Sequence, residues 1–176
     1  PLRPSADVPA LREAFQEMRK NHLAEAESKL TLAESGSLPE ALLQALRIRA
    51  RLERRRKNPV RARELLEQAI SRDHATGRVS DELDDRYLLA YQHLTVDYDF
   101  AAAEDQLSRT ATLESQSSEG RIDGDYHRGL LAVETGRLDA ALAWLRRSSA
   151  GAERLMLAEQ DAAARQALTE VLGILG

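Results

Sequence analysis

The chain has 176 residues, enough for one domain or a short run of repeats, and its 28 Ala and 28 Leu against 6 Val and 4 Ile argue against a β-rich core. Cysteine is absent, which excludes disulfides, thiolate metal sites and a cysteine nucleophile. With 43% apolar and 31% charged residues the chain can cover a core in water; no apolar run reaches the roughly 20 residues of a membrane span, and a net charge of −4 argues against general nucleic-acid binding.

The opening Pro1-Leu2-Arg3-Pro4-Ser5 has no initiator Met and no signal pattern, so it reads as an excised segment or a processed chain, a fragment of a larger protein. Apolar residues then recur at helical spacing in blocks separated by short polar or Gly-bearing stretches. They predict an all-α chain, one domain of about four antiparallel helix pairs over 8–35, 39–74, 81–116 and 123–158, followed by a terminal helix over 161–175. Ser35-Gly36-Ser37 reads as a helix stop followed by a cap, and Ser37-Leu38-Pro39-Glu40 as a capping box that starts a helix near Pro39. Asn58-Pro59 ends that helix and starts the next. There Ala62, Leu65, Leu66, Ala69 and Ile70 fall at i, i+3, i+4, i+7 and i+8, one face, with Arg63, Glu64, Glu67 and Gln68 outside it.

An Ala-x-x-x-Leu pair occupies the same place in each second helix: Ala26 and Leu30, Ala62 and Leu66, Ala103 and Leu107, Ala141 and Leu145. Composition alone gives about four such pairs by chance, so the context carries the argument. Each pair follows a break, and twelve residues before each Ala stand Ala14, Ala50, Tyr91 and Gly129, three of them small. A small residue on one helix lets the next cross close to it, and the Ala and Leu fill that contact.

At these residues the chain resembles the tetratricopeptide repeat family, best over Asp125–Leu145 with its Gly129 helix, Gly136 turn and Ala141 helix. The register alanines are 36, 41 and 38 residues apart, longer than the standard 34, and more similar to repeat arrays of bacterial regulators and sensors. Leu172-Gly173 resembles the small-residue site of a further first helix. The resemblance implies helix pairs stacked as a right-handed superhelix; the alternative on the residues alone is an irregular helical bundle.

Chemistry leaves few marks. His22, His74, His93 and His127 lie far apart, outside any His-x-x-x-His or Glu-x-x-His pair, and neither a phosphate loop nor a Gly-x-Ser-x-Gly elbow is present. The reading is therefore a non-enzyme with no cofactor and no metal. Tyr87, Tyr91, Tyr98 and Trp144 are expected to fill the core between helices.

Charge is the stronger signal. From Ala41 to Arg63 nine cations face Glu53 alone, a net +8, whereas from Val79 to Asp105 eight acids face Arg86 alone, a net −7. Arg47, Arg51, Arg54 and Arg55 fall at i, i+4, i+7 and i+8, one stripe. In the resembled family first helices line a concave groove, which implies that this stripe faces it beside Leu11, Phe15 and Met18 on one side and Leu88, Gln92, Thr95 and Tyr126 on the other. Such a wall suits an acidic or helical peptide. The same runs also fit helix macrodipoles, cations at a C-terminus and anions at an N-terminus, or neighbouring units that complement each other. The expected function is a protein–protein interaction or sensing module within a larger regulatory protein, cytoplasmic, with no nucleic acid and no membrane, and with the terminal helix available for self-association. A stand-alone adaptor or secretion chaperone is the alternative.

Overall fold

The computed structural model describes residues 9–35 and 39–176; the Pro1–Ser5 opening and the Ser37 capping box lie outside the described residues. Among those residues the chain is helical throughout, without strands: α1 (Pro9–Arg19), α2 (Leu23–Ser35), α3 (Pro39–Arg55), α4 (Pro59–Thr76), α5 (Val79–Gln92), a π-turn (His93–Asp97), α6 (Phe100–Glu114), α7 (Ser118–Glu134), α8 (Leu138–Arg154) and α9 (Ala158–Leu175). It divides after Gly77 into two compact units, α1–α4 and α5–α9.

Local chemistry sets several boundaries. Asn58 caps α4, its side-chain oxygen accepting from the Arg61 N–H, with Pro59 in the first turn. Asp99 caps α6 by accepting from Ala102 N–H at 3.0 Å. Ser117 accepts from Gly120 N–H at 3.0 Å, so α7 begins at Ser118, ahead of the expected 123.

In the first unit α1 and α2 pack together, α3 and α4 likewise, and α3 also contacts α1 and α2. Leu11, Ala14, Met18, Ala26, Leu30, Ile48 and Leu52 form one buried cluster. On α4 the five residues of the apolar stripe, Ala62, Leu65, Leu66, Ala69 and Ile70, are all buried. In the second unit Leu83, Ala90, Leu94, Ala103 and Leu107 cluster between α5 and α6, and Ala132, Ala141, Leu145, Ala167 and Val171 among α7, α8 and α9.

The repeat shows in the turns. Asn21, Lys57, Tyr98 and Gly136 each take a left-handed backbone between the two helices of a pair, with φ of 65°, 60°, 53° and 70°. Each stands five residues before Ala26, Ala62, Ala103 and Ala141, all buried. In three turns the next N–H donates to the carbonyl five residues back: His22 to Glu17 at 2.9 Å, Asn58 to Glu53 at 2.9 Å and Arg137 to Ala132 at 2.8 Å, the hydrogen bond that closes a Schellman-type helix end. In the third pair Asp99 N–H reaches six residues back, to His93 at 2.9 Å, because the π-turn holds one extra residue.

That extra residue corrects the register. Ala14, Ala50 and Gly129 stand seven residues before their turns, and the same count in the third pair gives Tyr91. Allowing for the insertion gives Ala90, which is buried in the cluster with Ala103 and Leu107, while Tyr91 is only half-buried and meets the His127 ring edge-on at 6.3 Å. All four pairs therefore carry a small residue at the crossing. At Gly129 the reason is steric: an added Cβ would come within 2.6 Å of Leu145 Cγ.

Candidate partner-binding faces

On α3, arginines leave the backbone in every direction, and the structure sorts them. Arg47 is 3% exposed and its guanidinium donates to Asp73 of α4, itself fully buried. It belongs to the α3–α4 seam, so the expected four-membered exposed stripe loses its first residue. The physical reason lies on α4, where Asp73 continues the buried stripe Ala62, Leu66, Ala69 at helical spacing and places a carboxylate where the facing position must be cationic. Arg49 and Arg56, two turns apart, hold α2: Arg49 meets Glu27 at 3.0 Å and Glu34 at 2.9 Å, and Arg56 meets Glu27 at 2.9 Å while also pairing with Glu53 of α3 at 3.0 Å. Arg61 pairs with Glu64 at 2.6 Å on α4. Much of the +8 segment thus serves contacts inside the first unit.

Arg51 and Arg54 are half-buried and engaged with other groups; Arg55 is exposed. Phe15 is half-buried against the first-unit cluster, while Met18 and Leu11 lie inside it and so offer no surface. In the second unit Gln92 is fully buried, and Leu88, Thr95 and Tyr126 are half-buried. Tyr98, expected in the core, is 69% exposed at its turn.

The second unit is organised about Glu114, at the C-terminal end of α6. Its carboxylate accepts from Tyr87 Oη at 2.9 Å, from Thr110 Oγ1 at 2.5 Å and from Arg128 through Nη1 and Nη2, both at 2.9 Å. Burial and then Glu114 push the Tyr87 hydroxyl far up from its ordinary range, so it stays a donor. Gly124 makes room, since a Cβ there would overlap the Glu114 carboxylate. Arg128 and Arg147 both approach the Trp144 ring, at 5.6 and 4.7 Å from its centroid, and Arg147 also meets the buried Asp125 at 3.2 Å. Burial raises Asp125 above the usual carboxylate range, and Arg147 works against that shift. A cavity of about 170 Å³ lies between α6 and α8, lined by Glu104, Leu107, Arg128, Leu131, Arg137 and Trp144 among others.

Two titrating groups on α7 have displaced pKa values. His127, stacked on Tyr87 at 5.1 Å and edge-on to Tyr126 at 5.4 Å, is lowered to about 4 by burial and then by Arg128. Asp123 is raised to about 6 by burial, then by Asp84 and, less, by Glu119. Of the remaining histidines, His22 meets Glu17 at 2.8 Å and His93 meets Asp97 at 3.1 Å. Among the described residues no group of three or more His, Asp or Glu side chains could hold a metal ion, and no helix is long and apolar enough to cross a membrane.

These helix pairs, with their shared turns and crossings, are the architecture of a TPR-like repeat protein. The structure is similar to the crystal structure of a putative kinesin light chain of Podosopora anserina with nearly identical TPR-like repeats, at a TM-score of 0.68 and 18% identity over 96% of this chain and 86% of that one. No family model matches the sequence. No curated protein matches it either.

Proposed function

We propose that the chain is a non-catalytic protein–protein interaction module that acts within a larger regulatory protein, and that its first unit binds a peptide or partner domain through adjacent first helices α1 and α3. The TPR-like fold is the observation that carries this reading, because such folds offer rows of side chains on successive helices rather than one enclosed reaction site. Arg47, buried in the α3–α4 seam, leaves the expected stripe, so the proposed contact residues are half-buried Arg51 and Arg54 and exposed Arg55, with Phe15 alongside. A carboxylate-bearing or helical segment is the partner chemistry that suits them, since guanidinium forks bind carboxylates bidentately. Gln92 and Met18, both buried, leave the set of contact residues, and half-buried Tyr126 is a candidate contact of the second unit taken by itself.

The test is capture of partners with the intact parent protein, followed by the Arg54→Glu, Arg55→Glu variant. A partner lost by the variant while the far-UV helical signal persists supports the reading. Undiminished capture by folded variant overturns the assignment to α3.

A further inference from the structure

The cavity between α6 and α8 has the parts of a small-molecule site. Both helices pack against α7, and the space opens where they part above it. Its volume of about 170 Å³ is near that of an apolar cavity of ~150 Å³ that admits benzene. It falls below the ~300–1,000 Å³ of drug-sized pockets, which limits a ligand to a small molecule. Buried Leu107, Leu131 and Ala132, with half-buried Ala140 and Trp144, give it apolar walls. The small side chains at 132 and 140 leave room that larger ones would fill.

The charged groups of the lining differ in what they can still bind. Arg128 is already engaged, because Glu114 accepts from Nη1 and Nη2 at 2.9 Å and the Leu107 carbonyl accepts from Nη2 at 3.0 Å. Glu104 and Arg137, at the mouth, are held loosely. Each is more than half exposed and they stand 3.7 Å apart, a pair that contributes little to stability. Thr135 Oγ1 accepts from Arg137 Nε at 2.9 Å, which anchors the guanidinium beside Glu104. Among the described residues the Glu104 side chain meets Arg137 alone. One anion and one cation at the mouth of an apolar hole match a zwitterion with an apolar side chain. A ligand with only a negative charge would be repelled by Glu104, and one with only a positive charge by Arg137. We propose that this cavity binds a free α-amino acid with an aromatic or branched aliphatic side chain. The side chain enters between Trp144, Leu107 and Leu131, the ammonium donates to Glu104, and Arg137 donates to the carboxylate. Two close charged contacts thereby replace one long one. The site lies wholly in the second unit and does not rest on the α1–α3 face.

Trp144 is the chain's one tryptophan, so its fluorescence reports on the cavity directly. Titrated into the intact chain, L-phenylalanine and L-leucine should change that emission saturably with Kd of ~0.1–1 mM, as suits ligands of about ten non-hydrogen atoms. 3-Phenylpropanoate, which lacks the ammonium, and phenylalaninamide, which lacks the carboxylate, should each bind at least fivefold more weakly. Glu104→Gln should weaken L-phenylalanine at least fivefold and bring 3-phenylpropanoate level with it. Ser108→Leu puts bulk into the cavity from an exposed position, so it should keep the melting curve and lower affinity at least tenfold. Absence of saturation by about 20 mM with folded protein, or undiminished binding to folded Ser108→Leu, would overturn the proposal. So would equal binding of either singly charged analogue, since phenylalaninamide would then point to the first residue of a peptide and 3-phenylpropanoate to a simple carboxylate.

Discussion

Two glycines inside helices should respond to the same substitution with opposite signs. Gly→Ala in a helix interior gains roughly 0.5–1 kcal/mol from backbone entropy and propensity. At Gly173 nothing opposes that gain, because an added Cβ meets no atom within 4 Å. At Gly129 the added Cβ would lie 2.6 Å from both Cγ and Cδ2 of Leu145, a fully buried side chain in the α7–α8 seam that would have to shift. Overpacking of that kind costs about 1–3 kcal/mol, so Gly129→Ala should lose a net ~0.5–2 kcal/mol while Gly173→Ala gains up to ~1 kcal/mol. For a chain of this size a kilocalorie moves the midpoint by about 2–4 °C, well within reach of a thermal melt followed by circular dichroism. A double-mutant cycle sharpens the test. Leu145→Ala alone should cost ~2–5 kcal/mol by opening a cavity, and in its background Gly129→Ala should become neutral or stabilising because the clash is gone. Additive costs in the double variant, or a Gly129→Ala protein as stable as wild type, would refute the close crossing.

Other consequences follow from the buried charges and the turns. Asp73→Ala takes a buried carboxylate away from Arg47 and should destabilise the chain in denaturant unfolding, whereas replacing both by apolar residues of similar volume should cost less. His127, at about 4 in the folded chain against 6.5 unfolded, binds fewer protons when folded, so stability should fall as pH drops from about 6.5 to 4, by ~3 kcal/mol in all. His127→Phe should remove that slope in pH-dependent melts. Asp123 has the opposite sign: raised to about 6 in the folded state, it favours folding at acid pH and loses that contribution as pH climbs from about 4 to 6, so Asp123→Asn should stabilise the protein at pH 7. Deleting exposed Val96 removes the inserted residue of the π-turn and should leave a folded protein within ~1 kcal/mol of wild type; loss of the helical signal would count against the insertion account.

The helices were legible because their causes are local. Asn58-Pro59 and the stripe Ala62 to Ile70 act within one or two turns, and the structure puts that cap and that buried face where the spacing does. The crossing in the third pair was harder to read, because a one-residue insertion leaves no compositional trace and Tyr91 then takes the place that belongs to Ala90. The breaks before each second helix were visible, but their left-handed geometry was not, since Asn21, Lys57 and Tyr98 adopt it without being Gly. Arg47 looked like its neighbours because a stripe counted on α3 alone ignores the carboxylate on α4; Asp73, on an otherwise apolar face, was the available signal. The Glu114 cluster joins α5, α6 and α7, and no local count reaches that far. Gly120 and Gly124, four residues apart within one helix, were its only mark in the sequence, the sign of side chains pressed close to a backbone.

The central claim is that adjacent first helices of the first unit form a protein-binding face, and a photo-crosslinking residue at position 55 tests it most directly. Placed in the intact parent protein, it should crosslink a partner at a defined peptide, with the crosslink lost when Arg54 is changed to Glu. A partner captured equally from position 67, on the opposite helix of the pair, or only from position 173 on α9, would contradict the assignment.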